Sequence, residues 1–341
     1  MATRMKPLIL GCAFAAVTPV LAQEADSDPF QIANANRFSL GTRIGMNFDV
    51  KFSTSRSRPG PPTSGANHTY DDGYVRVDSS GNAGDLTWNW GYNDAAQVVG
   101  DAIEYHVIDS PDLPSSISTS GDEPYYGLEL VYQRLAGTFM SGGGWGFEAA
   151  FSYTDLDFRD TRSGIGSATL LTDRFALNGI LPPRPPYRGT FNGPGPVIGA
   201  TPDRTVTTET STFRSDHHLD GQMFGFRFGP FIEWNFNRRF SVAFSGGLSL
   251  APALLDYQFE EEIALESGRT RSARGAASKT DLLYGNYVGG VVRFQITEQW
   301  GVYAGAQYET LNEWEQSINN RTATLDPGST FYGVAGVTFR F

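Results

Sequence analysis

The chain has 341 residues, 18% of them charged and 13% aromatic, with 39 glycines, one cysteine and a formal net charge of −11. A mean hydropathy of −0.29 excludes a bundle of apolar helices, and the negative balance argues against a nucleic-acid partner, whose phosphates call for clustered Lys and Arg. The length fits one large domain or two small ones.

Arg4 and Lys6 precede an apolar run at residues 8–21, and Val20-Leu21-Ala22 offers a small-residue cleavage site before Gln23. That run is short for a membrane span, and the anatomy is that of a secretory signal over residues 1–22. Its removal takes away two basic residues and no acidic ones, leaving 24 against 37, near −13. Ile9-Leu10-Gly11-Cys12 has the look of a lipoprotein box, but the apolar run continues past Cys12, which favours ordinary cleavage. The mature chain then has neither disulfides nor Cys metal ligands. No stretch approaches 18 consecutive apolar residues, so a bilayer is crossed, if at all, by strands closed into a barrel.

After a polar lead-in at 23–36, residues 37–52 read as one long strand. Phe38, Leu40, Thr42, Ile44, Met46, Phe48, Val50 and Phe52 form a nearly apolar face, with Ser39, Gly41, Arg43, Gly45, Asn47, Asp49 and Lys51 between them. A usual strand has about 5–6 residues; a tilted membrane strand uses about 9–11 to cross the hydrocarbon. Residues 53–124 hold many Pro, Ser, Asn, Asp and Gly and read as a long outer loop with short strands at 70–78, 87–92 and 102–108. Within it Trp88, Trp90 and Tyr92 form either an aromatic turn packing the loop on itself or a stacking surface for a sugar or partner.

Residues 125–135 and 145–154 alternate cleanly around a turn at 138–144. Residues 155–221 read as a second outer insertion, with proline-rich stretches at 182–186 and 193–196 and a threonine-rich hairpin at 205–213. Residues 222–236 set Phe224, Phe226, Phe228, Pro230, Ile232, Trp234 and Phe236 on one face. A turn at 237–239 leads into a strand at 240–254, and Pro230 and Pro252 predict local bulges. A polar link at 260–279 leads to strands at 281–296 and 300–310 joined by a turn at 297–299. A loop at 312–329 precedes the closing strand, 330–341, which ends F-R-F.

Eight long strands follow, or ten to twelve if 70–78 and 102–108 join the wall. Short turns alternate with longer loops, the pattern of an antiparallel up-and-down transmembrane β-barrel, with its termini on the periplasmic side and the insertions 53–124 and 155–221 outside. Trp145, Trp234, Phe236, Phe240 and Trp300 cluster beside the short turns, as an interfacial girdle would.

These features resemble small outer-membrane β-barrels of the OmpA/OmpX-like superfamily, over residues 37–341 and at the level of pattern. The resemblance implies a Gram-negative-type outer membrane, contact with outer-membrane lipid and lipopolysaccharide, and a closing signal at Phe331, Tyr332, Phe339 and Phe341 read by the barrel-assembly machinery. A peptidoglycan-binding domain, and with it a tether to the cell wall, is not expected.

An eight-stranded barrel has an interior that side chains fill. The inward positions offer Arg43, Asp49, Lys51, Glu129, Glu148, Arg227, Glu233, Arg293, Glu309 and Arg340, which should pair with one another because an unpaired buried charge is costly. No cofactor or metal is expected. His217 and His218 would be the ligands or half of a hydrolytic dyad, but adjacent strand residues point to opposite faces. The reading is a non-enzymatic barrel of structural or surface-recognition type, with an extracellular ligand met through the loops. The alternatives are a narrow channel and a barrel enzyme acting on lipid A or phospholipid.

Overall fold

The computed structural model describes residues 36–55, 60–63, 65–109, 116–120, 124–139 and 142–341; the signal reading at 1–22, Cys12 and the lead-in up to residue 35 lie outside them. Eight strands form a closed ring: β1 (Asn36–Met46), β2 (Tyr125–Phe139), β3 (Gly143–Ala176), β4 (Asp203–Asn235), β5 (Phe240–Leu265), β6 (Thr270–Gln295), β7 (Trp300–Leu311) and β8 (Thr330–Arg340). Each pairs antiparallel with its chain neighbours, and β8 closes on β1 with Phe38 opposite Phe339 and Met46 opposite Phe331. Asn36 and Phe341 exchange backbone hydrogen bonds at 3.2 and 3.0 Å, so the two ends of the ring meet. Closure leaves no free edge, the condition for a sheet to cross lipid.

The outward face carries an apolar band. On β5 it runs Phe240, Phe244, Leu248, Leu250, Leu254; on β3 it runs Trp145, Phe147, Phe151; on β6 it includes Leu282, Tyr284, Val288, Val292 and Phe294, all exposed. So much exposed apolar surface in one belt is the signature of a lipid-facing wall. The chain is a transmembrane β-barrel of outer-membrane type.

Three expectations change. First, residues 155–176, 203–221 and 255–279 are wall, not insertion or link. β3 and β4 stay paired from Gly143↔Trp234 to Arg174↔Asp203, and β5 and β6 from Phe240↔Phe294 to Ala264↔Thr270. A tight turn at 266–269 joins the latter pair, with Gly268 at φ +85 where a side chain would be strained. Second, the strand at 37–52 breaks. Asn47 sits at φ 69, a conformation Asn tolerates better than most residues, and Asp49–Thr54 leaves the ring for another sheet. Third, Pro230 and Pro252 make no bulge: Phe228↔Leu248 and Phe231↔Ser245 keep one register. The pairing of β2 with β3 shifts register instead, between Leu135 and Gly137.

The second sheet orders Trp314–Ile318, Arg321–Asp326, Asp49–Thr54 and Ser116–Ser120. Phe48, Val50, Phe52, Trp314, Ala323 and Leu325 pack against Leu156, Phe158, Leu219, Leu255, Tyr257 and Phe259 of the rising wall in one buried apolar core. We call this sheet the cap. Above it a lobe built from 68–109 and 175–200 has its own core, including Tyr70, Val75, Trp90, Tyr92, Ile103, Tyr105, Phe175 and Ile198. The strand Ala102–Asp109 does join a wall strand, pairing with Thr169–Ala176 at the top of β3. It adds to the sheet above the ring, so the ring stays at eight.

Candidate functional site

Inside the membrane-spanning half the strands alternate small or polar residues inward, and the charged ones interlock. Arg37, Arg43, Arg227 and Arg293 face Glu129, Glu148, Glu233 and Glu309, every one of them at most 6% exposed. Near the periplasmic end, Arg37 bonds Glu233 at 2.9 Å, Arg293 lies 3.5 Å from the same carboxylate, and Ser241 donates to it at 2.7 Å. Gln133 links this layer to the next, accepting from Arg293 at 2.8 Å and donating to Glu148 at 2.8 Å. Higher up, Arg227 bonds Glu129 at 2.5 Å, while Arg43 pairs with Glu309 and donates to Ser152 at 2.7 Å. The Arg43 guanidinium also lies 3.4 Å from the centroid of the Tyr332 ring. Desolvating this many charges is tolerable only with mutual pairing and further hydrogen bonds of this kind.

Two of the ten predicted lumen residues are elsewhere. Asp49 and Lys51 are exposed on the cap, because the break at Asn47 inverts which side of the strand is buried. Arg340 is half-buried at the periplasmic rim on the lumen-facing phase of β8. Arg37 was missed, although the strand read at 37–52 begins on it and it continues the inward phase of Ser39 and Arg43. Tyr287 and Gln133 complete the network, the former donating to Glu148 at 2.9 Å. Neither carries a charge pattern that would announce it.

Above the ion pairs the interior is apolar, with one charged cluster at the joint between wall and cap. Glu261 of β5 pairs with Arg321 of the cap and accepts from Thr54 at 3.3 Å. His217 of β4 lies 3.6 Å from Glu261, bonds the Tyr257 hydroxyl at 3.0 Å and stacks on Phe52 at 5.1 Å. Burial alone would raise the Glu261 carboxyl, but hydrogen bonds from His217 and Arg321 and the charge of Arg321 outweigh it and hold it down at about 2. Burial, then the charge of Glu261, pushes the Tyr257 hydroxyl up.

His218 points the other way, outside the wall, 2.8 Å from Asp157 and 3.6 Å from Asp220. His217 and His218 therefore lie on opposite sides of β4. Neither has a serine or threonine hydroxyl as hydrogen-bond partner among the described residues, and among those residues no group of three His, Cys, Asp or Glu is placed to hold a metal. His106 bonds Asp72 at 2.6 Å within the lobe, and His68 is buried beside Tyr70 and Phe175.

Trp90 and Tyr92 do not form a stacking surface. They are buried at 0% and 2% exposure, with Tyr187 tilted against Trp90 at 4.7 Å. Trp88 is half-buried and its indole N–H donates to the Phe191 carbonyl at 3.2 Å. The lobe is pinned to the wall by Asp173 of β3, fully buried, which accepts from Arg204 twice at 2.6 Å and from the Tyr70 hydroxyl at 2.6 Å. At the other end Trp145, Phe236, Phe240 and Trp300 are exposed beside the short turns, with Trp234 half-buried among them. In the closing strand Phe331 and Phe341 are exposed and Phe339 stacks on Phe341 at 6.1 Å, but Tyr332 faces the lumen and is fully buried.

No protein-family model matches the chain, and no curated protein sequence matches it significantly. Solved structures that it resembles include Ail, the attachment invasion locus protein of Yersinia pestis, in complex with the heparin analogue sucrose octasulfate (11% identity, TM-score 0.25, covering 91% of this chain and 100% of that one). Others are the outer membrane protease OmpT from Escherichia coli (10%, 0.28, 91% and 98%) and the P. putida toluene transporter TodX (10%, 0.19, 92% and 91%). Superpositions this loose carry no activity from one protein to another. The membrane barrel rests on the closed ring and its apolar belt.

Proposed function

We propose that this outer-membrane barrel is a non-enzymatic anchor that holds a rigid lobe outside the cell for structural or surface-recognition purposes. The observation that carries this is a bore closed twice over. Interlocked Arg and Glu side chains fill the lower half, and the apolar core between wall and cap fills the upper half. A diffusion pore needs about 16–18 strands to leave an aqueous channel, and this ring has eight.

The lobe supports the recognition reading. It has a core of its own, it is tied to β3 and β4 through Asp173, and Arg76, Arg184, Arg188, Asp85, Asp94 and Asp101 are exposed on it. Long ordered loops on a rigid scaffold are where binding residues concentrate. Single-channel recording of the purified barrel in a planar bilayer tests the sealed bore. Silence at both polarities is expected; discrete conductance steps would replace this reading with the narrow-channel one.

A further inference from the structure

Between the two layers of ion pairs lies a cavity of about 30 Å3, lined among others by Arg227, Arg293, Tyr303, Gln307, Glu129 and Glu148. That is room for one or two guests the size of water. The Nε and Nη1 of Arg227, the Nε of Arg293 and the hydroxyl of Tyr303 are all buried without a hydrogen-bond partner. Arg227 is 3% exposed and Arg293 5%. A guanidinium only donates, so unmet buried N–H groups of this kind call for an acceptor.

The nearby carboxylates do not fill that need, because their hydrogen bonds run to other donors. Glu129 accepts from Arg227 Nη2 and from Gln307, and Glu148 from Gln133 and the Tyr287 hydroxyl. The four arginines buried in this half of the bore (37, 43, 227 and 293) balance its four glutamates (129, 148, 233 and 309), so the case rests on the donors around the cavity. The unmet N–H groups of Arg227 and Arg293 and the Tyr303 hydroxyl outnumber the unmet Gln307 Oε1, which favours a guest that only accepts over one that must also donate.

We propose that this cavity binds one small inorganic anion of the halide class, held by Arg227, Arg293 and Tyr303. A halide is close to water in size and accepts hydrogen bonds from several directions at once; carboxylates and phosphates are too large for the space. Gln307 Oε1 is the one unmet acceptor at the cavity, and a water molecule would suit it better than an anion, which the experiment separates. The proposal rests on the sealed-bore reading, since an open path would exchange the anion with solvent and carry current.

The test uses the whole barrel. Crystals grown in sodium bromide in place of chloride should show an anomalous peak in the cavity, in contact with Arg227 and Tyr303. At constant ionic strength, which holds screening fixed, chloride should stabilise the barrel saturably over gluconate. Tyr303→Phe keeps the ring and removes one donor to the anion, and should weaken the apparent halide affinity about tenfold. No bromide peak, or equal unfolding midpoints in the two salts, overturns the anion site. If those results come with electrical silence, the sealed bore stands and only the anion is lost; conductance steps would break the sealed bore itself.

Discussion

One strand, β5, shows two environments. Over Phe240–Leu254 its outward residues are Phe, Val, Leu and Pro, while its inward ones are Ser241, Ala243, Ser245 and Ser249. From Leu255 to Leu265 the pattern inverts: Asp256, Gln258, Glu260 and Glu262 face out, and Leu255, Tyr257, Phe259, Ile263 and Leu265 are buried. The backbone does not break and its pairing with β6 does not slip. β3 inverts in the same way, from Trp145, Phe147 and Phe151 outside to Asp155, Asp157 and Arg159 outside, with Leu156 and Phe158 buried. The inversion marks the bilayer surface. Below it lipid is the outer solvent and the core is polar; above it water is the outer solvent and the core is apolar. The difference shows that a hydrophobic phase change along a strand need not mean a loop.

The largest effect should come from the polar core. Glu233→Ala leaves Arg37 and Arg293 buried without their shared carboxylate and should cost about 3–5 kcal/mol, read from urea unfolding in lipid vesicles. A loss under about 1 kcal/mol would mean that solvent reaches the lower bore and that the two halves are less different than drawn. Next come two substitutions on one face of one strand. Leu248→Arg lies in the lipid band and should cost about 2–4 kcal/mol, whereas Gln258→Arg, above the surface, should stay within about 0.5 kcal/mol. Equal costs would remove the assigned bilayer boundary between residues 254 and 256.

The smallest effect concerns the joint of cap and wall. The folded-state carboxyl of Glu261 is held down at about 2, below its ordinary 4.5. Its contribution is therefore fully present above that ordinary value and is lost as the pH falls from there through about 2. Hydrogen exchange on the cap strands should accelerate over that window in the parent protein, and Glu261→Gln should flatten the change. An unaltered acid profile in the variant would show that the cap is held by its apolar core alone.

Much of this protein is legible in its sequence. The turns at 237–239 and 297–299, the Phe-rich face of β4 and the closing strand point to a membrane barrel of eight, with ten to twelve open until 70–78 and 102–108 are placed, because lipid allows only apolar side chains outside and only a closed sheet across it. Glu129, Glu148, Arg227, Glu233, Arg293 and Glu309 could be assigned inward by alternation alone. Three things were decided only in the folded chain. Asn47 adopts a left-handed backbone, so Asp49 and Lys51 leave the lumen and Phe48, Val50 and Phe52 turn into the core, a local event that alternation cannot show. Residues 155–176, 203–221 and 255–279 belong to the wall because their strands stay paired and because Leu156, Phe158, Leu219, Leu255, Tyr257 and Phe259 found a partner in the cap, contributed by segments far away in the chain. Trp90 and Tyr92 became core and not surface for the same reason: burial is set by what packs against a side chain, and that is a property of the tertiary structure.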